Sequence, residues 1–154
     1  MRPLAPLVAL LTLALPAVAQ KPAPPPHAWL FGAWTGGLFP PPVTLNAQEC
    51  LAQPSVIFTR DTVMRESLTA PAYVQRLVET VRAIPGGAEF RFVAAPKPPR
   101  AASGMFDVMP DSAADIGFGC RDPDALQVRR RGENEISFPN CPAFPYPLIR
   151  CPAR

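Results

Sequence analysis

Apolar and polar positions alternate most clearly in the second half of the chain. Phe90 and Phe92 alternate with Glu89 and Arg91, the period of a strand with one buried face, so residues 88–93 are predicted to be extended. Leu126–Arg130 and Glu135–Phe138 flank Arg131, Gly132, Glu133 and Asn134, which predicts a hairpin. A second hairpin is expected where residues 55–59 and 62–68, both rich in β-formers, flank Arg60 and Asp61. Residues 28–39 are aromatic and Gly-rich and run into Pro40, Pro41 and Pro42, which suits a strand bent at Gly32 or Gly36. Short strands are also expected at Met105–Met109 and Ile116–Cys120, the latter followed by a turn at 121–124, with an exposed loop over 94–104. Residues 73–84 read two ways. Val74, Leu77, Val78, Val81 and Ile84 keep helical spacing behind Thr69 and Pro71, whereas the content of Val, Thr, Tyr and Ile favours a strand leading through Pro85, Gly86 and Gly87 into the next. We favour the strand. The expected class is all-β, a small antiparallel barrel or sandwich of about seven to eight strands, with α+β and a helix at 73–84 as the alternative.

The N-terminus has a different pattern. Arg2, an apolar run from Leu4 to Leu15, and Ala17-Val18-Ala19 follow one another in the order of a secretory signal peptide with its cleavage site. The run is too short to span a bilayer, and Gln20 to His27, with four prolines in eight positions, cannot extend it. The expected organisation is a signal peptide over 1–19, a Pro-rich tether over 20–27 and one β domain over 28–154, in a periplasmic or secreted protein with no membrane span in the mature chain.

Composition narrows the possibilities. Hydrophobic residues make up 48% and charged residues 18%, enough apolar material for a core and too little charge for a disordered chain. Losing residues 1–19 removes only Arg2 from the charge balance and leaves 14 basic against 12 acidic groups. A nucleic-acid partner is therefore not expected. The one basic cluster, Arg129-Arg130-Arg131, would alternate faces on a strand and reads as a solvated hairpin tip.

Cys50, Cys120, Cys141 and Cys151 are an even set in an exported chain, which argues for two disulfides. Their spacings of 70, 21 and 10 lack the close pairs of a zinc site, so no metal and no cofactor are expected. The prolines between Cys141 and Cys151 stiffen that loop, and a local 141–151 bridge with 50 joined to 120 is the expected connectivity. His27, the single histidine, falls in the tether, where it cannot serve a nucleophile as base, and no G-x-S-x-G, H-E-x-x-H, P-loop or G-x-G-x-x-G is present. Asp61, Glu66, Glu79 and Glu89 are the carboxylates that a His-free hydrolase would need, yet each is also the polar partner in a strand or turn.

Trp29, Phe31, Trp34 and Phe39 are the densest chemistry in the chain: four large aromatics within eleven positions either fill a core or line a pocket. Gly32-Ala33-Trp34 resembles the G-x-W at the first strand of lipocalin-like barrels, among them bacterial periplasmic inhibitors of secreted metalloproteases. The resemblance implies an eight-stranded antiparallel barrel with Trp34 plugging one end. It also implies a binder, with residues 20–28 placed like the arm that those inhibitors insert into the protease cleft. The expected function is an exported, non-catalytic binding or interaction module for a partner protein or an apolar small molecule, with Trp29, Phe31, Trp34 and Phe39 as candidate contacts. A cell-envelope structural protein and a carboxylate-based hydrolase are the alternatives.

Overall fold

A computed structural model describes residues 23–42, 45–52, 55–66, 73–94 and 118–152. A single 3-10 turn, Ala28–Leu30, leads into β1 (Gly32–Gly36), and a short helix α1 (Ala47–Ala52) precedes β2 (Val56–Phe58). Then follow β3 (Thr62–Glu66), β4 (Tyr73–Ile84), β5 (Gly87–Phe92), β6 (Ala125–Arg130), β7 (Glu135–Ser137) and β8 (Leu148–Arg150). All eight strands pair antiparallel in chain order, and β8 returns to β1, so the sheet closes into a barrel. Among the described residues, closure leaves no edge strand to cap.

Register explains the alternation. Trp34 lies opposite Val56, Phe58 opposite Val63, Ala88 opposite Val128, Phe90 opposite Leu126 and Ile136 opposite Leu148. All of these residues are buried. Phenyl rings continue the core along the barrel: Phe58, Phe90, Phe92, Phe118, Phe138 and Phe144 are each within 3% exposure, with neighbouring centroids 5.1–6.3 Å apart. Those separations are typical of interacting aromatic pairs. Arg76 is buried beside them, its guanidinium 5.2 Å from the Phe92 ring centre, paired with Asp124 and donating to the Pro123 carbonyl at 2.9 Å. A buried cation is tolerated here because a carboxylate and carbonyls replace its water.

Residues 73–84 form one strand, and the alternative helix is absent. The helical spacing has a local origin: the register shifts between Val78 and Thr80, so the barrel-facing sequence goes from Val78, opposite Phe92, to Val81, opposite Phe90. A bulge inserts one residue into a period of two and turns it into a step of three. Leu77, which a helical stripe would bury, is 60% exposed.

Other expectations are corrected. The bridges are Cys50–Cys151 and Cys120–Cys141, not 50–120 and 141–151. The prolines that stiffen 141–151 carry the chain away from Cys141 and into β8, a strand the proline content had hidden. Cys151 donates its backbone N–H to the Ala33 carbonyl, and α1 packs against β1, which brings Cys50 to Cys151. Phe118–Cys120 is a bend instead of a strand, with Gly119 at φ +73°. Packed structure also begins earlier than the expected start near Trp29, since His27 is 3% exposed. The signal peptide over 1–19 and the strand at Met105–Met109 lie outside the described residues.

Candidate binding groove

The four aromatic residues singled out in the sequence do not share one face. Trp34 is fully buried; its indole Nε1–H donates to the Leu30 carbonyl at 2.8 Å, tying the 3-10 turn under the barrel. Trp29 and Phe31 are half-buried at that same closed end, while Phe39 is 69% exposed beyond the far end of β1. Two arginines seal the closed end. Arg150 lies 4.4 Å from the Trp34 ring centre, donates from Nη1 to the Phe31 carbonyl at 2.8 Å and from Nη2 to the Trp29 carbonyl. Gly32 beside it is at φ +120°, a backbone conformation that favours glycine, while a Cβ there would meet the guanidinium only at an ordinary contact distance of 3.7 Å. Burial, and then the neighbouring charge of Arg130, lower the Arg150 pKa. Arg130 itself stacks on Trp29 at 4.2 Å. Cation–π contacts of this kind hold the aromatic floor in place.

His27 is part of the same floor. Its Nε2 bonds to the Arg60 carbonyl at 3.0 Å, its ring packs edge-on against Phe31 and Phe90, and Nδ1 is buried with no hydrogen-bond partner. The candidate carboxylates are scattered. Asp61 and Glu66 stand at opposite ends of β3, Glu79 is exposed at the bulge of β4, and Glu89 is bonded by Arg82 at 2.9 Å. Opposite Glu66, the Tyr73 hydroxyl has its pKa raised by burial and then by the Glu66 charge. Among the described residues no cluster of three or more His, Cys, Asp or Glu is arranged to hold a metal ion.

A groove of about 710 Å³ lies on the outside of the barrel, against the β6–β7 hairpin and the 138–147 loop. Arg121, Arg129, Arg130 and Arg131 line it, against a single acidic residue, Glu135. Strand alternation would put Arg129 and Arg131 on the opposite face from Arg130, but β6 ends at Arg130 and Arg131 lies beyond it. At the strand end the hairpin turns, and all three border the same groove. Arg131 Nε donates to Ser137 Oγ at 3.2 Å across the hairpin, and the Arg121 N–H donates to the Asn140 carbonyl at 2.9 Å. Among the described residues none of these four guanidiniums is ion-paired, whereas Arg82 and Arg91 on β4 and β5 reach Glu89 and Asp122 at 2.9 and 3.0 Å.

No family model, curated protein or solved structure matches this chain.

The opposite wall is built from Pro139, Pro142, Pro145, Pro147 and Tyr146, the last 42% exposed, over a floor of buried Phe138 and Phe144. Gly37, at φ +82°, allows this loop to close down: a Cβ there would meet Phe144 at 2.6 Å. Its backbone exchanges hydrogen bonds with Tyr146 and Pro147 at 3.0 and 3.1 Å. The Cys120–Cys141 bridge ties Arg121 and Asn140 into the wall. The signal for this site was present in the sequence as the Arg129–Arg131 run and the proline-spaced 139–147 segment, but their juxtaposition depends on pairing across β6, β7 and β8.

Proposed function

We propose that this protein is an exported, non-catalytic interaction module that binds a partner protein on the outer face of its barrel. The observation that carries this reading is the packed interior: Trp34, Phe58, Phe90, Phe118 and Leu126 are essentially unexposed, which weighs against an apolar small molecule held inside. The arginine-lined groove supports the external face instead, since Arg and Tyr are enriched where proteins meet. His27 supports a non-catalytic role, being buried with Nε2 engaged by a carbonyl. Two disulfides fit an oxidising, extracytoplasmic setting. No helix among the described residues is long and apolar enough to cross a membrane. Similarity to lipocalin-like barrels, including periplasmic metalloprotease inhibitors, is part of the proposal, resting on Gly32, Ala33 and Trp34 together with the eight-stranded closure.

Site-specific photo-cross-linking in cells expressing the full chain tests it. A photoreactive residue in place of Tyr146 should give a discrete protein adduct, and one in place of exposed Thr80 should not. Equal adducts at both positions, or none at Tyr146, would contradict the reading. Hydrolysis of a glycan that Glu66→Gln abolishes would replace it with an enzyme.

A further inference from the structure

We infer that the groove takes an extended acidic peptide segment of the partner, with carboxylates on the Arg121, Arg129, Arg130 and Arg131 side and the peptide backbone against the proline wall. This rests on the partner-protein reading above and specifies its chemistry. Three features of the groove converge on it.

The first is charge. Four guanidiniums border a groove with one carboxylate, and all four arginines are exposed. Elsewhere on the barrel, exposed Arg82 and Arg91 are neutralised by Glu89 and Asp122. Guanidinium forks match carboxylates and phosphates two bonds at a time, so this cluster selects for anionic ligands, and the wall facing it decides between the two. Arg130 keeps its stacking on Trp29, which fixes one fork at the base of the groove.

The second is backbone chemistry. Pro139, Pro142 and Pro145 bring carbonyl acceptors and no N–H donors to this wall, while the Pro147 carbonyl is taken by the Gly37 N–H. Such a wall complements a peptide, which brings its own N–H groups, better than a phosphodiester backbone, which brings only acceptors. The third is stacking. Phe138 and Phe144 are each 3% exposed, which leaves Tyr146 as the open aromatic face on this wall. Strand-binding nucleic-acid grooves use successive aromatic platforms. A volume of about 710 Å³ suits a few peptide residues.

The test is fluorescence anisotropy with a labelled decapeptide of alternating Glu and Asp, a Gly-Ser decapeptide of equal length, and two unlabelled competitors, a sulfated oligosaccharide and a thymidine decanucleotide. The acidic peptide should bind the disulfide-intact protein one to one and the neutral peptide should not. Raising salt from about 20 to about 200 mM should weaken binding roughly tenfold, because the charges are solvent-facing. Arg129→Glu with Arg131→Glu should cost about tenfold or more, as for removal of charges that attract a ligand across an interface. Arg129→Gln with Arg121→Gln should show the same direction, so that a folding defect in one variant does not decide the result. Arg82→Ala, on the neutralised face, should change affinity less than about twofold. Absence of binding above the neutral peptide, insensitivity to both groove variants, or displacement by either competitor at a tenfold lower concentration than unlabelled acidic peptide would overturn the inference. A protein adduct at Tyr146 without acidic-peptide binding would remove the acidic chemistry and leave the interaction module standing. Failure of both would remove both.

Discussion

The closed end of the barrel and the outer groove are built from the same residue type and use it in opposite ways. At the closed end Arg150 spends its donors on the Phe31 and Trp29 carbonyls and its cationic face on Trp34. Around the groove Arg121, Arg129 and Arg131 have no carboxylate partner among the described residues. An arginine whose donors are satisfied internally contributes to the fold, and one that remains solvated is available to a ligand. Arg130 belongs to both regions, since it stacks on Trp29 while bordering the groove. Structure and binding should therefore separate by location, and variants in each region can show whether they do.

The two disulfides give the largest contrast. Cys50–Cys151 closes 101 residues next to the closed end, and Cys120–Cys141 closes 21 beside the groove. On the chain-entropy estimate the first contributes about 4 to 5 kcal/mol and the second about 3 kcal/mol. Paired Cys→Ala variants compared by chemical denaturation should rank in that order. Loss of the shorter bridge should also abolish acidic-peptide binding, because it frees the Arg121 wall, and the reverse ranking would dissociate the closed end from stability.

Trp34→Ala should cost about 3 to 5 kcal/mol, the usual range for truncating a buried large aromatic. Melting followed by circular dichroism should show a drop of many degrees. Trp29→Ala, at a half-buried position, should cost less, and equal losses would mean that the floor is one cooperative unit. Arg150→Met keeps the stem but leaves two carbonyls without their donor; an expected loss of about 2 kcal/mol follows from stranding partly buried acceptors. Smallest of all, Arg129→Gln with Arg131→Gln should leave unfolding free energy within about 0.5 kcal/mol of the parent. A substantial loss there would show that these side chains serve the fold after all.

The regions also differ in how far the sequence reveals them. The class was legible because barrel strands alternate: Glu89 to Phe92, and Leu126 to Arg130 with Glu135 to Phe138, are read directly as strands. The helix–strand ambiguity at 73–84 arose because a bulge imitates a period near three, which single-strand pattern reading does not resolve. Disulfide connectivity was misread for a related reason. Sequence proximity favours Cys141 with Cys151, but β8 carries Cys151 to β1, and only the closure of the barrel dictates that. For Trp34 the sequence left core and pocket open, with a buried plug implied only by the resemblance, and Phe39, five positions on, is exposed because Gly36 and Gly37 turn the chain out of the barrel wall. The groove was the least legible part. Its arginines and prolines are separated by strand β7, and their meeting is a property of three-strand register.

Amide chemical-shift mapping of the ¹⁵N-labelled protein, titrated with the Glu-Asp decapeptide, tests the division between core and groove most directly. Saturable shifts are expected at Arg121, Arg129, Arg130, Arg131, Ser137, Asn140 and Tyr146, with the amides of Phe58 and Phe90 and the indole N–H of Trp34 unmoved. Shifts centred on Trp34, Phe58 and Phe90, or on Arg82 and Arg91, would contradict the assignment of binding to the outer groove.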